Sequence, residues 1–162
     1  MRLQENKKHL GLAILISLIA AISLASCGGG ATGPDFSTVP DPFDTIPPLA
    51  VTFEDTFLIF YDYHLGEGNQ TAIIRDQITY FFTKRALNGE VEVSTYANGR
   101  TTPDIITLTS TQLDVAIRRG FVGMRPGGRR KVVDLRGDPF RNFTKPPDSS
   151  IYYLELVEIL SN

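Results

Sequence analysis

The sequence predicts an α+β domain: an antiparallel sheet of about five strands wrapped around one short α-helix. Two observations carry this. Several runs are rich in β-branched and aromatic residues and are bounded by turn residues. Only one stretch has helical spacing, with Leu113, Ala116 and Ile117 at i, i+3 and i+4. A single amphipathic helix among strands must lie across a sheet to bury its stripe.

The elements follow in order. Phe57 to Tyr61 reads as a strand bounded by Asp62 and Gly66. From Asp76 to Thr83, Ile78, Tyr80 and Phe82 share one face, and Thr79, Phe81 and Thr83 share the other. Asn88-Gly89 turns the chain, and Glu90 to Tyr96 alternates less cleanly. The helix is expected over Thr111 to Arg119. Thr111 would be its cap, Asp114 would sit in the first turn, and Gly120 would be a left-handed C-terminal cap. Arg129 to Leu135 and Ile151 to Leu160 complete the sheet.

Upstream of the domain the composition changes. Arg2, Lys7 and Lys8 precede an apolar run from Leu10 to Ala25. That run is shorter than the roughly 20 residues of a membrane span and suits a signal peptide over residues 1–26. Leu24-Ala25-Ser26-Cys27 resembles the lipobox of bacterial lipoproteins, which implies cleavage before Cys27 and a lipid on it. Cys27 is the only cysteine, so no intramolecular disulfide is possible. Residues 27–50 are expected to be a tether, because Gly28 to Gly30 are flexible and Pro34, Pro40, Pro42, Pro47 and Pro48 prevent helix. Extended, it would reach roughly 70 Å. The folded domain is expected at 51–162, long enough for one core.

Charge narrows the function. The 16 Lys+Arg and 18 Asp+Glu become 13 and 17 once Arg2, Lys7, Lys8 and Glu5 leave with the signal, a net of −4. This excludes a basic nucleic-acid face. The cluster of Arg125 with Arg129, Arg130 and Lys131 reads as a solvated strand edge rather than an anion site. His9 falls in the signal and His64 stands alone beside a turn, so neither a metal set nor a catalytic triad is present. No cofactor is expected. Gly66-Glu67-Gly68 lacks a third glycine and a following helix, so it is no dinucleotide loop.

Taken in order, residues 65 to 160 follow one family pattern. Leu65 to Gly68 form a turn, Asp76 to Thr83 a strand, Asn88-Gly89 a turn, and Gln112 to Gly120 a helix. Gly123 to Gly128 lead into Arg129 to Leu135, and Phe140 and Pro146-Pro147 precede the last strand. This resembles the FKBP-type peptidyl-prolyl isomerases. The resemblance implies rotation of the bond before proline, in a pocket that favours the twisted amide over the planar one. The planar bond is a resonance-stiffened tertiary amide with a barrier near 20 kcal/mol, and such catalysis is differential binding.

The resemblance also implies the site. The pocket wall falls on Phe82 and the floor on Ile117. The pair before the helix, whose second N–H holds the substrate carbonyl, falls on Leu113 and Asp114. Further walls fall on Phe140 and Tyr153, and the segment after Asn88-Gly89 contributes Val93-Ser94 or Val91-Glu92. Phe82 and Phe140 lack the hydroxyls of the family's tyrosines, and Ile117 is smaller than its tryptophan. The Asp114 carboxylate must face solvent or find a partner such as Arg118, since burying it unpaired is costly. The implied partners are proline-containing segments of exported proteins, and the membrane through an N-terminal lipid in the bacterial cell envelope. A monomer is expected. A catalytically weak lipoprotein that grips a partner in the same groove is the alternative.

Overall fold

The computed structural model describes residues 33–135 and 149–160. The chain divides into Met1–Gly33 and Pro34–Asn162, and every element below belongs to the second unit. Cys27 and Phe140 lie outside the described residues.

Among the described residues seven strands form one sheet: β1 (Ala50–Phe53), β2 (Leu58–His64), β3 (Gln77–Ala86), β4 (Val91–Ser94), β5 (Asp104–Thr107), β6 (Arg129–Asp134) and β7 (Ser150–Leu160). The order is β1-β2-β6-β7-β3-β4, all neighbours antiparallel, and β5 pairs with β3 beside the β4 position. Two strands, β1 and β5, are additional to the five expected. Helix α1 (Val115–Phe121) crosses one face.

The core forms on that helix-side face. Leu58, Phe60, Ile78, Tyr80, Val132, Tyr152, Leu154, Leu156 and Ile159 meet Ala116, Ile117 and Phe121 there. Leu156 pairs with Tyr80, but Thr79 pairs with Glu158, so the ladder skips Val157. This bulge keeps both Leu156 and Ile159 on the core side although they are three residues apart.

The helix departs from its expected ends. Asp114, not Thr111, is the N-cap, and its Oδ1 accepts from Ala116 N at 2.9 Å. A carboxylate there satisfies an orphan donor and meets the positive end of the helix dipole. Gly120 is inside the helix rather than its left-handed cap. A Cβ at Gly120 would collide with the side chains of Leu154 and Val132, so glycine lets the helix approach the sheet. Gly123, with φ +81, takes the left-handed position instead.

The basic cluster is not a solvated edge. β6 lies between β2 and β7, and each of its cations has a partner. Arg129 pairs with Glu155 at 2.9 Å, Arg130 with Asp62 at 2.6 Å and Lys131 with Asp44 at 2.8 Å. Arg130 also donates to the carbonyls of Gly120 and Val122 and lies over the Phe60 ring. It therefore closes the C-terminal end of α1 against the sheet.

The other face of the sheet is covered by residues 34–49, which composition assigns to the tether. Phe43 packs edge-on against Tyr63 and Tyr153, with centroids 5.5 and 5.3 Å away. Asp44 accepts from Lys131 and from the Tyr153 hydroxyl. Arg85 donates to Pro40 O, Thr38 to Tyr96 O, and Asp35 and Asn98 exchange hydrogen bonds. Proline does favour extended chain here, but extended chain can still pack. The segment is a strap, and any free tether in this region ends before Pro34.

Candidate functional site

The site implied by the resemblance centres on the start of α1. Leu113 and Asp114 reach it from the turn before the helix, Ile117 from the first helical turn and Phe82 from β3. Ile117 is 4% exposed and belongs to the core. Phe82 and Leu113 are half-buried and pack against that core, with the Phe82 ring stacked 6.1 Å from Tyr80. Ile117, Phe82 and Leu113 thus share one core, and Asp114 caps the helix that covers it.

Tyr153 does not join them. Successive side chains of a strand point to opposite faces. Tyr152 belongs to the core under the helix, whereas Tyr153 meets Phe43 and Asp44 beneath the strap. The aromatic of β7 beside the helix is Tyr152, one residue earlier than expected. Its hydroxyl donates to Asp114 Oδ2 at 2.7 Å. Burial, then the hydrogen bond to Asp114 and its charge, push the Tyr152 hydroxyl pKa well up, so it stays protonated. Asp114 has thus found a partner, but the partner is Tyr152 and not Arg118.

Charged groups surround this apolar centre. The Lys84 ammonium lies 5.9 Å from the Tyr152 ring centroid and pairs with Glu92 at 2.8 Å. Val93 faces Lys84 across the β3–β4 ladder, and Ser94 faces Thr83, where their hydroxyls are 2.9 Å apart. Asp104 lies opposite Tyr80 and pairs with Arg100. Burial, with the Asp104 charge second, raises the Tyr80 pKa. The residues sequence reasoning missed are therefore Tyr152, Lys84 and Asp104. The alternation of β7 offered Tyr152, because Leu154 and Leu156 share its parity.

His64 ends β2, and its Nδ1 lies 2.9 Å from Gly127 O. It stands at the strand's end, beside the Gly66 turn. The Gly66 turn docks on the same loop. At φ +75, a Cβ on Gly66 would run into the carbonyls of Arg125 and Pro126, so only glycine fits. Between this loop and the strap, Phe43, Ile46, Tyr63, His64, Gly127 and Arg129 line a cavity of about 390 Å³. It lies on the strap side of the sheet, away from α1. Among the described residues no group of three or more His, Cys, Asp or Glu could hold a metal ion.

No protein-family model matches this chain, and no curated protein matches it. A solved structure does. The crystal structure of FkpA from Escherichia coli aligns with a TM-score of 0.55 and 17% identity, over 68% of this chain and 52% of that one. The match spans about half the length of that protein. It supports an FKBP-like fold for the sheet and helix described above.

Proposed function

We propose that the chain binds X–Pro segments of exported proteins at the start of α1 and assists their cis–trans isomerisation. The observation that supports this is that Ile117 lies in the core beneath α1, with Phe82 and Leu113 packed against that core, in an FKBP-like fold. Apolar walls favour the twisted amide, whose dipole is smaller, and the Asp114 N–H is the donor for the substrate carbonyl. Cys27 is the proposed lipid attachment, which would place the domain at the bacterial envelope.

A second reading has its own support. Ile117 is nearly sealed within the core, and Asp114 is tied to Tyr152. A floor that shallow grips proline with little gain in the twisted state, which favours a weak catalyst that acts by binding. A proline-isomerisation assay on residues 34–162, with the strap kept, separates the two. Turnover above the uncatalysed rate supports the enzyme. Peptide binding without turnover supports the binder, and the absence of both binding and turnover removes the groove as a site.

A further inference from the structure

We propose that the free edge of β1 is a contact between two copies of this chain. Among the described residues β1 ends the sheet, and all four of its residues are exposed. Glu54 N donates to Leu58 O at 3.0 Å, and Phe53 lies opposite Ile59. Hydrogen-bonded pairs alternate along an antiparallel ladder. The backbone groups of Thr52 therefore turn toward β2, and those of Val51 and Phe53 turn outward, where the described residues add no further strand.

The side chains of this edge match its backbone. Val51 and Phe53 share one face and are 47% and 73% exposed. Leu49 and Phe57 extend the apolar surface. No charged residue occurs from Thr45 to Phe53, and no proline lies within β1. Both are devices that usually protect a free edge.

A second copy fits this edge in one register. With a two-fold axis through Thr52, Val51 of each copy faces Phe53 of the other. The outward N–H and C=O groups then exchange hydrogen bonds on both sides of the axis, and the two apolar pairs meet on one face. Glu54 falls opposite Ala50 and Asp55 opposite Leu49, so no acid faces an acid. An unrelated extended segment could make the backbone bonds but would bring no matched Val–Phe pairs. The strip is small against the roughly 800 Å² per partner of a standard interface, so the dimer forms with rising concentration. It replaces the monomer expected from sequence.

The test uses the full chain in mild detergent with Cys27→Ser, which removes the one native thiol. At the axis the two residues 52 form a non-hydrogen-bonded pair with Cα atoms about 4.5 Å apart, within disulfide reach. Oxidation should link Thr52→Cys chains into dimers and leave Thr101→Cys, on an exposed loop, largely unlinked. Light scattering should show the mass rising toward twice the monomer with concentration, and Val51→Lys should abolish that rise with the circular dichroism unchanged. A monomeric mass at every concentration, with no preferential linkage at Thr52→Cys, overturns the proposal. So does self-association that survives Val51→Lys, which would place the contact elsewhere.

Discussion

The Tyr152 hydroxyl donates to the Asp114 carboxylate across 2.7 Å, and the other oxygen of that carboxylate caps Ala116. One side chain thus fixes both where α1 begins and where it sits on β7. Asp114→Ala should remove the cap, worth about 1 kcal/mol, and take from the buried Tyr152 hydroxyl the acceptor of its proton, at about 1–3 kcal/mol more. Tyr152→Phe should cost less, because Asp114 keeps its cap. Urea unfolding of the two single variants and the double variant would show the coupling. Strictly additive losses would mean that the two groups do not act together.

Gly120 tests how closely the helix sits. Alanine normally favours a helix over glycine by about 1 kcal/mol. Here the added methyl would meet Leu154 and Val132, and overpacking costs about 1–3 kcal/mol. Gly120→Ala should therefore lower the thermal midpoint rather than raise it.

The strap should respond to acid. Burial pushes the Asp44 carboxyl up, but the hydrogen bonds from Lys131 and Tyr153 and the Lys131 charge outweigh this and hold it below the usual carboxylate range. A depressed folded value gives stability that is complete above the unfolded value, about 3.9, and is lost as pH falls through the folded one. Strap protection should hold at neutral pH and fail below about pH 4. Asp44→Ala should abolish this acid step, and Phe43→Ala should expose residues 34–44 to protease at any pH. Hydrogen exchange at Thr38 to Asp44 reads both effects. Free exchange there in the wild type at neutral pH would refute the strap.

How much of this could be seen in the sequence depended on periodicity. β3, β7 and α1 announce themselves because their apolar residues repeat at the spacing of their element. β1 did not, since four residues after Pro47-Pro48 are too few to show alternation, and β5 was hidden by Pro103 and Asp104. Tyr152 and Tyr153 are adjacent and chemically alike, so a one-residue error in frame moved the site aromatic to the wrong face. The Arg130–Asp62 pair joins residues 68 positions apart, a distance that no local pattern reports. The strap was missed because proline content predicts an extended backbone but says nothing about what that backbone touches.

The proposed lipid on Cys27 is checked by mass. The wild-type protein extracted from membranes should be cleaved before Cys27 and should carry acyl groups. Cys27→Ala should leave an uncleaved, unlipidated precursor. An unmodified thiol in the wild type would sink the assignment.

The proposed groove is tested by variants at Ile117 and Phe82. Ile117 sits in the core, so Ile117→Trp should overpack it, at about 1–3 kcal/mol, before it could widen any floor. Phe82 is half-buried and packs against the core. Phe82→Ala should weaken proline-peptide binding and turnover together. It also removes packing against Tyr80, so stability must be measured alongside. The informative comparison is Phe82→Leu, which keeps apolar bulk but loses the aromatic wall. If Phe82→Leu folds as well as the wild type and still loses peptide affinity, the ring is the contact. If affinity follows stability in both variants, Phe82 is a packing residue only, and the start of α1 is not where proline binds.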